Sequence, residues 1–282
     1  MITSLEYLGL TLSQYDNTTQ RGFNILRSYG FDMASVRLDV QDRGGSHGAA
    51  IGSAFYGRRQ MVVEGEIWGA SQSDFETMRR DFIRAFSPHR GVNRVNIVTR
   101  SDARYVADVI ASGAPGLDYS AGDIVRCPFR MTLVSGYPYL LSATEQYVNI
   151  YPSVDGGGPM VAPMPYPFTG VNGSNTTINN GNGEAYPVIK IYGPIQNFTL
   201  KNQTTGKQIS VTYTLTSSDN LTIDTYNNTI LLNSNNNVYS TVAGNIEDLY
   251  IPVGSSQWTI IGTNTNVSTY VRITYRDHYI GI

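Results

Sequence analysis

Three histidines, His47, His89 and His278, stand in separate segments of the 282-residue chain, and none has a partner at metal-ligand spacing. No HExxH and no paired cysteine motif occur. The run Gly48-Ala49-Ala50-Ile51-Gly52-Ser53 has the glycines of a phosphate loop but lacks its spacing and its lysine, so it reads as a Gly-rich turn. Asp219, Asp224, Glu247 and Asp248 could supply the paired carboxylates of a glycosidase. Their neighbours mark turns and strand ends, where acidic side chains more commonly hold backbone N–H groups. Tyr226, Tyr239, Tyr250 and Trp258 could stack on sugar rings if exposed, or equally fill a core. The expectation is therefore no catalytic residue, no metal and no cofactor, with carbohydrate contact by those four aromatics as the open chemical possibility.

The elements that would carry these residues are mostly strands. From Tyr186 to Ile282 the chain alternates apolar and polar residues, most strictly at Ile209, Val211, Tyr213 and Leu215, the period of a half-buried strand. Further strands are expected at Leu221–Asp224, Ile230–Leu232 and Trp258–Ile261, separated by Asn, Gly, Asp and Ser clusters, as in an antiparallel sandwich or barrel. Upstream, Val36–Val40 and then Met61, Val63, Gly65 and Ile67 alternate on either side of a long Gly-rich connection, which reads as a hairpin with an extended arm. One helix is expected: Phe75, Met78, Phe82, Ile83 and Phe86 fall at helical spacing, with Ser71, Ser73 or Asp74 as the cap and Pro88 as the stop. Strand character resumes at Val95–Val98, Tyr105–Ala111 and Val125–Leu133, whereas residues 1–33 show little sustained pattern.

Charge divides the chain. Residues 1–145 hold 15 basic and 15 acidic side chains, the remaining 137 only 5 and 7, which places a boundary near residue 145. The expected domains are residues 1–145, a Pro/Gly/Asn-rich linker or arm at 146–185, and a C-terminal domain at 186–282. A formal net charge of −2 disfavours a protein held to nucleic acid by phosphate contacts. A single cysteine, Cys127, allows no internal disulfide and reads as a small buried hydrophobe. The start, MITSLEYLGLTL, is not expected to be a signal peptide or anchor, and the N-x-[ST] triplets are read as a by-product of Asn and Thr abundance.

The order of certain motifs resembles the distal tail proteins of long-tailed bacteriophages, the siphophage tail component family. In the C-terminal part, Gly193, Ile195 and Asn197 match a G-x-I-x-N strand, and Leu221, Ile223, Asp224 and Thr225 match an L-x-I-D-T strand. Pro252 to Ser256 depart from the family's tighter Pro-Gly turn. In the N-terminal part, Gly48, Arg59, Val63, Gly65, Ile67 and Ala85-Phe86-Ser87-Pro88 match an arm, a strand and a helix end. The resemblance implies a mainly β chain: an N-terminal β-sandwich with one helix and a hairpin arm, and a C-terminal galectin-like β-sandwich. It further implies a homo-oligomer, a hexameric ring at the distal end of the virion tail, made in the host bacterial cytoplasm. The ring would join the tail tube protein to tail-tip or receptor-binding proteins, and DNA would cross it without specific binding. No catalysis is implied. Arg43, Gly48, Arg58 and Arg59 are the expected ring contacts, and a carbohydrate-binding module reading the host surface is the alternative.

Overall fold

The computed structural model describes residues 2–13, 21–118, 125–152 and 173–282. The chain forms two compact units, Met1–Ala143 with Tyr279–Ile282, and Thr144–His278. Both are built of β-sheet.

In the first unit the strands are β1 (Ile2–Tyr7), β2 (Leu10–Ser13), β3 (Gly22–Tyr29), β4 (Val36–Asp42), β5 (Ala49–Tyr56) and β6 (Arg59–Trp68). After α1 (Gln72–Ala85) come β7 (Asn93–Thr99), β8 (Arg104–Ala111), β9 (Gly116–Leu117), β10 (Arg126–Ser135) and β11 (Leu140–Ser142). The main sheet runs β11-β8-β7-β1-β2-β3-β6-β10-β9, and β10 also pairs with β8 through Leu133 and Ala111. The sheet thus curls back on itself around one apolar core, with Leu5, Met61, Val63, Ile67, Val95, Ile97 and Leu133 fully buried. Gly65 keeps the place of an inward residue on β6 because a Cβ there would lie 2.0 Å from the Asn24 carbonyl and 2.6 Å from the Phe129 ring. Any side chain would push β3 away.

Helix α1 is capped by Ser71, whose Oγ accepts from the Asp74 N–H, while the Asp74 carboxylate accepts from the Ala70 N–H at 3.0 Å. Phe75, Met78, Phe82 and Ala85 face the core, and Phe82 meets Phe23, Phe86 and Phe129 at ring separations of 4.7–5.7 Å. Ile83, expected on that face, is exposed: it follows Phe82 by one residue and is turned about 100° away. Residues 1–33 also depart from expectation, since they supply β1, β2 and β3. Their alternation is broken by register shifts between Ile2 and Ser4 and between Ile25 and Arg27, which hide a period of two.

The pairing expected across the Gly-rich segment is also different. Val36–Asp42 pairs with Ala49–Tyr56, inside that segment, while Arg59–Trp68 pairs with β10 and β3. The β4–β5 hairpin therefore stands as its own two-stranded sheet.

The second unit is a sandwich of two antiparallel sheets. Its strands are β12 (Gln146–Ile150), β13 (Gly173–Asn179), β14 (Val188–Tyr192), β15 (Ile195–Asn202), β16 (Gln208–Leu215) and β17 (Asn220–Asp224). They continue with β18 (Thr229–Leu232), β19 (Asn236–Asn237), β20 (Val242–Ala243), β21 (Gly254–Thr263) and β22 (Tyr270–Tyr275). One sheet runs β12-β22-β14-β17-β18-β19 and the other β13-β21-β15-β16-β20. Ile189, Ile191, Phe198, Ile223, Trp258 and Ile273 fill the space between them. The segment 146–185, expected as a linker, instead contributes β12 and β13, paired along their length with β22 and β21. Its Asn, Thr and Gly content masks the pattern because outward positions dominate both edge strands. Residues 153–172 of that segment lie outside the described residues. So do residues 119–124, part of the turn expected at Gly113–Gly122.

Candidate functional site

The β4–β5 hairpin presents the most unusual surface of the first unit. Directly opposed residues share a face of a hairpin, and the register pairs Val36 with Tyr56, Leu38 with Ala54, and Val40 with Ile51. One face is consequently an apolar row, while the other carries Arg37, Asp39 and Gln41 alongside Phe55. Leu38 is 59% exposed, Ile51 75% and Phe55 61%. At the tip the Arg43 N–H donates to the Gly48 carbonyl at 3.1 Å, and Gly48 takes a φ of +95° that closes the turn.

Among the four expected ring contacts, Arg43 and Gly48 lie at this exposed tip and Arg58 is exposed at the base, its carbonyl accepting from the Ser35 hydroxyl. Arg59 is a correction. Its side chain is fully buried and donates to the carbonyls of Pro138, Gly30 and Ile280. Burial pulls its guanidinium down to about 10, with Asp32 acting in the opposite sense. It fastens the C-terminal residues into the first unit. The role differs from that of Arg58 because adjacent strand residues point to opposite faces.

The expected sugar contacts are scattered. Tyr226 is half exposed and meets Tyr186 edge-on at 5.9 Å, Tyr239 is partly exposed, and Tyr250 is half-buried with its carbonyl accepting from Asn202. Trp258 is the second correction: it is fully buried between the sheets, and its indole N–H donates to the Thr177 hydroxyl at 3.0 Å. It belongs to the core because its place in β21 is an inward one.

The four carboxylates act in turns and surface contacts. Asp219 accepts from the Thr216 N–H, the Thr216 hydroxyl and the Asn233 amide, which hold its pKa below the usual carboxylate range. Asp224 accepts from the N–H groups of Tyr226 and Asn227, Glu247 accepts from Asn228, and Asp248 pairs with Lys207 at 3.0 Å. Among the described residues no three His, Cys, Asp or Glu side chains converge as a metal ion would require. His47 and His89 are exposed. His278 is buried, and its Nδ1 faces the Arg276 carbonyl at 2.8 Å. Cys127 is buried with its Sγ 3.2 Å from the Asp118 carbonyl, and burial pushes its thiol up.

A cluster that sequence reasoning missed lies on the outer face of the six-stranded sheet. Tyr147 and Asn149 of β12, Tyr151 just beyond it, Tyr270 and Arg272 of β22, and Lys190 and Tyr192 of β14 share that face. Its signal was present in the parity of YVNIY, YVRITY and VIKIY, where aromatic or cationic residues alternate with buried aliphatics.

Residues 180–279 match the family model described as siphovirus-type tail component, C-terminal domain. No curated protein sequence matches the chain. Among solved structures, the SPP1 phage Dit protein, described as a paradigm of hub adsorption apparatus in phages infecting Gram-positive bacteria, aligns over 99% of both chains. The TM-score is 0.65 at 10% identity. A chain of the phage P2 baseplate in its activated conformation aligns over 100% of both chains at 10% identity, with a TM-score of 0.49. The match over 180–279 and the fold shared along the whole chain bear out the resemblance read from the motifs: residues 180–279 match the C-terminal domain of the siphovirus-type tail component family, and the chain has the fold of the SPP1 Dit protein.

Proposed function

We propose that this protein is a structural component of a phage virion, the hub at the distal end of the tail, in which copies join head-to-tail into a ring. The observation that carries the reading is the β4–β5 hairpin. A two-stranded sheet is marginal in water by itself, and an exposed apolar row of this kind marks a contact surface. A patch that fits a different surface on the next copy generates a ring where the rotation between copies closes, and the resemblance makes six copies the expected number. Arg43, Gly48 and Arg58 would lie at that contact. The ring would join the tail tube protein to tail-tip or receptor-binding proteins. A near-neutral chain suits a passage through which DNA travels without being held. Labelling the protein in intact virions and imaging the tails tests the reading. Label at the distal tip and a closed ring from the purified protein are expected. A strictly monomeric protein absent from tail tips would refute it.

A further inference from the structure

We infer that the outer face of the six-stranded sheet in the second unit binds an anionic saccharide, a glycan bearing phosphate or carboxylate groups. Lys190 and Arg272 stand directly opposite each other on β14 and β22. Like charges in that position are destabilising, and among the described residues neither forms an ion pair with a carboxylate. A bound anion would offset that repulsion.

The guanidinium is also held ready. Its plane centre lies 4.9 Å from the Tyr147 ring and 5.7 Å from the Tyr270 ring, and Nε donates to the Asn149 side-chain oxygen at 3.1 Å. With Nε engaged and the group packed between rings, the two terminal nitrogens remain for a ligand. That fork matches the paired oxygens of a phosphate or carboxylate.

The neighbours fit a sugar. Tyr151, Tyr270 and Tyr192 form a row across three adjacent strands, with ring separations of 6.0 and 4.4 Å, and so span about 10 Å. The stacked Tyr192–Tyr270 pair offers its rims and hydroxyls. Tyr147 and Tyr151, 62% and 60% exposed, offer the ring surface that Arg272 and Tyr270 leave open to the C–H side of a pyranose. Protein-binding patches are enriched in tyrosine and arginine but depleted in lysine. Here Lys190 stands at the centre beside Arg272, which favours a saccharide over an acidic peptide.

The test is titration calorimetry on the full chain with three probes of matched length: oligogalacturonate, a neutral galacto-oligosaccharide, and poly-glutamate. Oligogalacturonate is expected to bind at least 10-fold more tightly than the other two. Arg272→Gln should weaken that binding by about 10-fold, the loss of a charge-assisted contact, and Arg272→Lys should recover little of it because the fork is gone. Lys190→Thr should weaken binding while raising the melting temperature, a pairing of effects that a purely structural lysine would not show. Equal or tighter binding of poly-glutamate would reassign the face to an acidic protein partner. No binding of oligogalacturonate, or binding untouched by Arg272→Gln in a folded variant, would overturn the proposal. None of these outcomes depends on ring formation by the first unit.

Discussion

Arg59→Met replaces a buried cation with an uncharged side chain of similar length and leaves the carbonyls of Pro138, Gly30 and Ile280 without their donor. Each abandoned carbonyl costs about 1–3 kcal/mol. Against this, removing a guanidinium that burial already penalises, as its pKa of about 10 shows, returns about 2 kcal/mol after allowance for screening. The expected net loss is about 3 kcal/mol. For a unit of this size, with a urea slope of about 2 kcal/mol per molar, the midpoint should fall by about 1.5 M. The chain's two tryptophans separate the units, since Trp68 lies in the first and Trp258 in the second. Urea titration should therefore show the Trp68 transition moving and the Trp258 transition staying. The Ile282 amide, which donates to Phe31, should exchange faster. A midpoint shift below about 0.3 M would refute the clamp role, and Arg59→Lys should restore less than half of the loss because one ammonium cannot span three carbonyls.

Two further outcomes concern the second unit. Trp258→Ala should destabilise it by about 3–5 kcal/mol through the cavity it opens, read as a lower urea midpoint by circular dichroism, and should do so with no sugar present. His278 carries a pH signature: burial pulls its pKa down to about 4 from the ordinary 6.5. The unfolded chain therefore binds a proton between those values that the folded unit refuses. The stabilisation is complete above pH 6.5 and falls as the pH drops towards 4, by about 3 kcal/mol in all. Urea midpoints at pH 7 and 4.5 should diverge in the native chain and converge in His278→Gln; equal divergence in both would assign the effect to carboxylates.

How much was legible follows from how each element is covered. The helix with its Ser71 cap, the regular strands β6, β10 and β16, and the turn roles of Asp219 and Asp224 were readable because each obeys a local rule. Strands β1 and β3 were not, since register shifts within them break the alternation that a linear reading needs. Strands β12 and β13 were hidden for another reason: they are edge strands whose Asn and Thr face water. Arg58 and Arg59 look alike in sequence, yet one is at the surface and the other buried, because burial alternates along a strand and the fold decides which parity is inside. Trp258 shows the same limit. Its type is suited to a sugar platform or a core, and only its inward place in β21 decides between them. The Tyr and Arg face escaped notice because it joins Tyr147, Tyr192 and Arg272, strands far apart in sequence whose adjacency is set by the topology.

In the proposed ring the apolar row of the β4–β5 hairpin joins one copy to the next. Mass photometry of the purified chain compared with Leu38→Glu/Ile51→Glu tests it most directly. Both residues are exposed, so the double variant should keep the fold and melting behaviour of each unit. The native chain is expected to appear as one closed oligomer, six copies in the expected ring, and the double variant as monomers. A native chain that stays monomeric, or a double variant that assembles as the native chain does, would contradict this role for the hairpin.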